Sequence, residues 1–515
     1  MGTTRRQRRW AAATATTAVA LALTTTGVAT AGPPGAGAGP GAPGAGYPGH
    51  QPPQLQPAVP AVPASDIDWE VADPAFDHDP ATGERGEPFT PLLDEQGAPR
   101  TRVLTGVDSG AAYRIEVPLA GWNGEVVFWE HGYRGTGPVL YVSDPAGDLR
   151  ETYVDAGYAW AASSYSANRY DVPAGAVSTE RLARLFDDLV APASRRYLQG
   201  VSMGGHVIGE LLERQQVPWS GAAPMCGVMG DVEQFDIRLD YNLVAQALAE
   251  VDGFPIPEDY VDAVIPLIKE RLGLPDEPVG DNPPLTERGE VLRDVVIDLT
   301  GGPRPGDEAA FTYWEGLDFQ LARFADDPTG SLSGVTPGWL AENVGTRYPT
   351  SYTFPDGTTL NEAVERVAAA PGARRTGPDA YVPDLTAAFE VPVLSVHTLG
   401  DLFVPFEHQQ VYAAEAADLG TGDLLVQRTV RSAGHCEFTP EEYATTFTDL
   451  VRWVESREAG SAELRPAGED VLSPSAVADP AFGCRFTTPV ETVPEEEIGT
   501  RRLYDPCPAG TAPPA

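Results

Sequence analysis

Basic residues are scarce in this chain. Lys and Arg number 35 against 74 Asp and Glu, a formal net charge of −39. That deficit argues against nucleic acid, because phosphate neutralisation needs a basic surface. It argues equally against docking on anionic lipid, and its ordinary consequence is solubility. Cysteine is sparse as well: Cys226, Cys436, Cys484 and Cys507 are the only four. They form no CxxC pair and no His/Cys cluster, so no structural zinc is expected. Long apolar runs are missing too. The mildly apolar AAATATTAVALALTTTGV near the start is short and rich in threonine, which excludes a permanent membrane span.

What is present begins with an export pattern. Arg5, Arg6, Arg8 and Arg9 precede the apolar run, and ATA at 29–31 fits a cleavage site after Ala31. Residues 1–31 therefore read as a signal peptide by either the general or the twin-arginine route, and the mature protein as extracellular. An even number of cysteines in an exported chain suggests two disulfides, with three connectivities open. Residues 32–65 are almost pure Gly, Pro and Ala, which cannot bury enough apolar surface to fold, and read as a disordered linker.

The remainder can build a sizeable core, since 42% of the 515 residues are hydrophobic. RVLTGVDSGAAYRIEVPL looks like two strands with a turn. GEVVFWEHGY, AWAASSY, RYLQGV, SGAAPMCGV, VPVLSVH and LLVQRTVRS read as further short strands. Between several of them lie helical stretches such as DLRETYVDAG and STERLARLFDDLV, with EEYATTFTDLVRWVES near the end. Buried strands alternating with amphipathic helices predict an α/β fold with a doubly wound, mostly parallel sheet. Residues 66–230 and 386–460 are its two parts. The interval 231–385 is far longer than a crossover needs, and YNLVAQALAEV, VDAVIPLIKERLGL and LNEAVERVAAA mark it as an inserted, mostly helical cap. Residues 461–515 form a loop-rich tail.

One stretch raises a chemical question. In LQGVSMGGHV, Ser202 stands between Gly200 and Gly204, after a predicted strand and before a predicted helix. A serine hydroxyl becomes a nucleophile only with a base in hydrogen-bond reach, a group orienting that base, and donors for the developing oxyanion. A serine on a sharp strand-to-helix turn, with small neighbours where the elements crowd, meets the geometric part. The alternative is a glycine-lined structural turn.

With this context the sequence resembles the α/β-hydrolase superfamily, which implies the chain order nucleophile, acid, histidine. His435 in SAGHCEF, just after the last core strand, matches the family's base. Asp401 in TLGDLFVP follows the preceding strand and matches its acid, with Glu407 as fallback. His206 is expected on the helix or lining the cleft, and His408 on a solvent-facing helix. The oxyanion donors implied are the N–H of Met203 and that of Tyr133 or Gly132, in the His-Gly loop after GEVVFWE. In tannases and feruloyl esterases a cysteine after the histidine bonds to one just before the serine, but here Val201 holds that place. Cys226, on the strand after the nucleophile helix, is the alternative partner of Cys436, which leaves Cys484 with Cys507.

The acidic residues Asp231, Glu233, Asp236 and Asp240 read as a solvated helix start rather than a calcium site. Trp314, Glu315 and Gly316, with Tyr313 and Phe319, are candidates for a pocket wall or for simple packing. The resemblance implies an exported serine hydrolase acting on a small-molecule or polymeric acyl substrate without metal or organic cofactor. Carboxylic esters are the favoured substrates, with amide or peptide bonds second. A non-catalytic binding protein would normally have lost a triad member.

Overall fold

In a computed structural model of the chain, residues 54–56, 60–79, 84–460 and 465–511 are described. The expected signal peptide and the first part of the expected linker lie outside them. The end of that linker does not behave as one. Gln54–Leu55 pairs in parallel with Val367–Ala368, and Val62 N–H donates to the Gly334 carbonyl at 2.8 Å. Ala64–Asp66 forms a 3-10 turn. These backbone groups find partners on the body of the protein, so its boundary lies before residue 66.

Eight strands make the central sheet. They are β1 (Thr101–Asp108), β2 (Ala111–Pro118), β3 (Glu125–Glu130), β4 (Ala159–Ser163), β5 (Arg195–Val201), β6 (Gly221–Met225), β7 (Val393–Thr398) and β8 (Leu425–Val430). The spatial order is β1-β2-β4-β3-β5-β6-β7-β8. The first two form an antiparallel hairpin and β2 runs antiparallel to β4; every other pairing is parallel. Side chains alternate across this sheet with period two. On β3, Val126 and Phe128 join one core while Val127 and Trp129 join the other.

Helices cover both faces. Helix α1 (Leu149–Asp155) shares the smaller core with the terminal helix Pro440–Glu458. Helices α2 (Val172–Leu189) and α3 (Met203–Arg214) share the larger one. That larger core runs without a break into the inserted segment, where Leu239, Val244, Leu248 and Leu292 belong to it. The insertion is thus packed onto the sheet domain and has no core of its own.

Within the insertion the helices concentrate in the first part. They are α4 (Glu233–Ala249), α5 (Ile265–Leu272), α6 (Glu287–Leu299), α7 (Asp307–Gly316) and α8 (Phe319–Phe324). Residues 325–385 run mostly as irregular chain with one short helix, α9 (Leu360–Ala363). LNEAVERVAAA, expected to be helical, stops there because Val364 is extended and Val367 is recruited to pair with Gln54. Tertiary pairing overrides a weak local preference. Helix α10 (Glu407–Leu419) then links β7 to β8, and α11 is the terminal helix Pro440–Glu458.

Candidate active site

Ser202 occupies the turn between β5 and α3 with φ 57° and ψ −125°. That conformation is costly for a residue with a Cβ and persists only where the surroundings impose it. They do so here through two glycines. A Cβ on Gly200 would lie 2.4 Å from the Glu130 carbonyl oxygen, and one on Gly204 would lie 2.2 Å from the same atom. The glycines therefore let the turn close against the end of β3, a neighbouring strand, as well as joining strand to helix. Ser202 N–H donates to the Met225 carbonyl at 3.0 Å, which fixes the turn to β6 on its other side.

The end of β3 then supplies the loop His131-Gly132-Tyr133. A Cβ on Gly132 would sit 3.0 Å from Ser202 Cβ and 3.5 Å from its Oγ, so this backbone passes directly over the serine. Met203 opens α3, where the first-turn N–H groups have no intrahelical acceptor. The Tyr133 side chain is exposed. His131 stacks on Tyr165 at 3.9 Å between ring centroids, and burial holds its basicity well below the usual histidine range.

Three distant segments meet at the serine. His435 Nε2 lies 2.8 Å from Ser202 Oγ, and its Nδ1 lies 2.5 Å from Asp401 Oδ2. Asp401 is fully buried, and its other oxygen accepts from the N–H groups of Phe403 at 2.8 Å and Val404 at 3.0 Å. The carboxylate is therefore anchored on one oxygen and faces the imidazole with the other. Phe403 stands edge-on to the imidazole at 4.9 Å. Glu407 begins α10 instead of joining this group.

Cys436 is bonded to Cys226. Register explains how this replaces a bridge to the residue before the serine. Val201 pairs with Met225, so Cys226 is the lateral neighbour of Ser202 on the next strand. Cys484 is bonded to Cys507.

Two parts of the histidine loop's support carry no motif in the sequence. The indole N–H of Trp314, in the insertion, is shared between the carbonyls of Gly400 at 3.0 Å and Ala433 at 2.9 Å, tying acid loop to histidine loop. Thr500 Oγ1, in the tail, accepts from Ala433 N–H at 2.8 Å and Gly434 N–H at 3.0 Å. From sequence Trp314 is a candidate for a pocket wall or for packing but not for this bridge; nothing marks Thr500.

Other expectations need correction. His408 is completely buried, with Nδ1 accepting from Gly230 N–H at 2.7 Å; it faces inward because the insertion opens against α10. His206 is buried between the Tyr170 hydroxyl at 3.0 Å and the Pro383 carbonyl at 2.9 Å, and burial lowers its pKa to about 4. Of the two expectations for His206, packing on the helix is the one that holds: it ties the insertion to α3 and does not line a cleft. The acids at 231–240 are not solvated either. Asp231, Glu233, Asp236 and Asp240 are all buried. Asp236 pairs with Arg374, and Asp240 accepts from the Tyr348 hydroxyl at 2.8 Å, so these carboxylates organise the irregular half of the insertion. Phe319 packs on Trp314 and Phe403, while Tyr313 packs on Trp314.

The strand order, the serine on the β5–α3 turn, the acid after β7 and the histidine after β8 define an α/β-hydrolase fold. No family model matches the chain. Among curated proteins, o-phthalyl amidase of Xanthobacter agilis is 32% identical over 74 residues, 14% of this chain and 16% of that protein. The match therefore spans about one sixth of that relative's length. Among solved structures, an inhibited esterase B from Lactobacillus rhamnosis overlaps with a TM-score of 0.33 at 12% identity, over 72% of this chain and 90% of that one. An acylaminoacyl peptidase overlaps with a TM-score of 0.34 at 11% identity, over 72% of this chain and 43% of that one, under half its length. An esterase/lipase from an uncultured bacterium gives 0.33 at 12% identity, over 72% and 87%. These overlaps are loose, and the fold assignment rests on the chain's own topology.

Proposed function

We propose that the protein is an exported serine hydrolase that cleaves carboxylic esters through an acyl-enzyme. The observation that carries this reading is the continuous Ser202–His435–Asp401 relay, with separations of 2.8 and 2.5 Å. His435 Nε2 takes the proton as Ser202 Oγ attacks the acyl carbon. Asp401 holds the Nδ1–H tautomer and stabilises the imidazolium. The backbone N–H of Met203, with that of Tyr133 or Gly132, receives the oxyanion. His435 gives its proton to the leaving alcohol, which departs and leaves the acyl group on Ser202. Water then attacks that acyl group with His435 again as base, releasing the acid and restoring the serine. The chemistry draws on side chains and backbone alone.

Export is supported by the arginine-led apolar start and by two disulfides, which persist in oxidising compartments. Among the described residues no helix is long and apolar enough to cross a membrane. Amide cleavage is the second reading, favoured by the short match to o-phthalyl amidase.

The test is labelling of the purified mature protein by a fluorophosphonate, beside Ser202→Ala and His435→Ala. We expect mass addition at Ser202 in the wild type and none in either variant. Short-chain nitrophenyl esters should be hydrolysed faster than aminoacyl nitroanilides; the reverse ranking selects amide cleavage. A folded wild type that neither labels nor hydrolyses would overturn the catalytic reading in favour of a binding protein.

A further inference from the structure

Arginines shielded from solvent in this molecule are engaged. Arg114 and Arg150 meet Asp144 and Glu116, Arg501 meets Glu442, and Arg304 donates to the Leu399 and Gly302 carbonyls. Arg238, half-buried on α4, is the exception. Among the described residues it is the one shielded arginine whose guanidinium has neither an acid partner nor a hydrogen bond. Its Nε is enclosed without an acceptor. A partly shielded cation left unpaired costs free energy, and where acids outnumber bases two to one a partner would be easy to supply.

Its position gives the cost a reason. The guanidinium carbon lies 5.4 Å from the centre of the Phe403 ring, and Phe403 stands edge-on to the imidazole of His435 at 4.9 Å. Arg238 and Arg323 also act electrostatically on the phenol of Tyr133, in the loop that passes over Ser202. The cation is thus one aromatic ring away from the proposed base and on the side of the oxyanion loop. The acids nearby are taken. Asp326 pairs with Arg323 at 2.7 Å, and Asp327 accepts from the N–H groups of Thr329 and Ser333.

We propose that Arg238 binds a carboxylate carried by the substrate, so that the enzyme selects esters or amides bearing a free acid group. This rests on the hydrolase reading above. A guanidinium fork matches a carboxylate in plane and offers paired donors. A phosphate dianion fits less well, because the neighbouring Arg323 is already neutralised by Asp326. Burial lowers the Arg238 pKa only to about 10, which leaves it cationic at neutral pH. Aromatic Phe403 and Phe319, packed at 4.8 Å, suit the apolar spacer between the acid and the scissile carbonyl.

Three matched esters test this. They are 4-nitrophenyl hexanoate, mono-4-nitrophenyl adipate with the acid on the acyl side, and 3-carboxy-4-nitrophenyl hexanoate with the acid on the leaving group. For one acid-bearing ester, wild-type kcat/KM should exceed that of the neutral ester at least tenfold. Arg238→Met should reduce that ratio at least tenfold, and Arg238→Lys should recover part of it. A wild type without preference, or a ratio unchanged in Arg238→Met, overturns the assignment while leaving the hydrolase reading intact. Calorimetric titration of Ser202→Ala with the same esters separates the two ideas without chemistry. Tighter binding of an acid-bearing ester, weakened tenfold by Arg238→Met, supports the anchor even if the wild type cleaves nothing, in which case the hydrolase reading alone fails. Equal binding of all three esters overturns the anchor.

Discussion

The serine turn and the histidine loop face each other across 2.8 Å, yet they are held in place by opposite means. The serine turn is local. Five consecutive residues set its path, and two of them are glycines because a neighbouring strand leaves no room for a Cβ. The histidine loop is assembled from afar. Cys226 just after β6, Asp401 after β7, Trp314 in the insertion and Thr500 in the tail hold it together. A serine turn encoded locally needs only the strands beside it. A histidine loop held by four remote segments needs the insertion and the tail as well. Damage to the first should be abrupt, and damage to the second graded.

The sharpest break is Gly204→Ala. Its Cβ would meet the Glu130 carbonyl at 2.2 Å, and that atom is backbone with nowhere to move. Such overpacking costs about 1–3 kcal/mol. A shift of the turn by about 1 Å should lower ester hydrolysis by about 100-fold. Fluorophosphonate labelling beside a thermal melt distinguishes a displaced serine from an unfolded protein. If Gly204→Ala keeps wild-type turnover, the serine turn is not the rigid half of the comparison.

Next in size is the Cys226–Cys436 bond. Replacing both cysteines by alanine removes a crosslink between residues 210 apart. The expected loss of stability is about 2–5 kcal/mol, read by denaturant unfolding. Hydrogen exchange gives the finer test. Amides around 432–438 should exchange faster, while those around 200–206 keep their protection. Equal deprotection of both segments would mean that the two regions are one cooperative unit.

A buried carboxyl on the insertion adds pH dependence to the histidine side. Glu315 neighbours Trp314, is 1% exposed, and neither of its oxygens has a hydrogen-bond partner. Burial, with a smaller push from Asp318, raises its pKa to about 8. The folded state therefore keeps a proton that the unfolded chain releases near its ordinary pKa of 4.5. Stability from this group is fully present below that value and is lost as pH rises through about 8. Glu315→Met should stabilise the protein at pH 8 by roughly 4 kcal/mol and flatten the fall in Tm between pH 5 and about 9. Glu130, at the serine side, is buried too, but Thr179 and Tyr165 donate to it at 2.9 and 3.0 Å, and its pKa is raised only to about 7. The same mechanism acts on both carboxyls, and hydrogen bonds moderate it on one.

This difference also explains what could be read from sequence. The serine turn was legible because its constraint is written in adjacent letters, glycine two before and two after. The alternation of strands and helices was legible for a similar reason: β3 is a short apolar run, EVVFWE, and is buried along its whole length. His435 and Asp401 were expected from the chain order that the family resemblance implies and from the strand before each, and the two lie together beside Ser202. His408 was misread, and so were the acids at 231–240, since their burial depends on where a long insertion lies down. The insertion's irregular half owes its path to contacts such as Asp236 with Arg374, more than a hundred residues apart. Local propensity carries no information about a partner that distant. Thr500 is the extreme case, a threonine in a loop-rich tail with no pattern around it.

Thr500 is therefore the finest probe of the comparison. Its hydroxyl accepts two backbone N–H groups immediately before His435, those of Ala433 and Gly434, both buried. Thr500→Val keeps the shape and removes the acceptor, leaving Ala433 N–H unpaired and Gly434 N–H with Ser432 Oγ at 3.2 Å, at a cost of about 1–3 kcal/mol. The loop should relax while the disulfide and Trp314 still hold it. Turnover should then fall by about tenfold with little change in KM, because the base loses alignment with Ser202 while the substrate contacts stay. Thr500→Ser restores the acceptor and should restore most of kcat, which a general loss of packing would not allow. Combining Thr500→Val with loss of the Cys226–Cys436 bond should cost more than the two separate effects together. Both hold the same short loop, and interactions that share one element couple. Simple additivity would mean that the histidine loop is fixed by its own sequence after all, as the serine turn is.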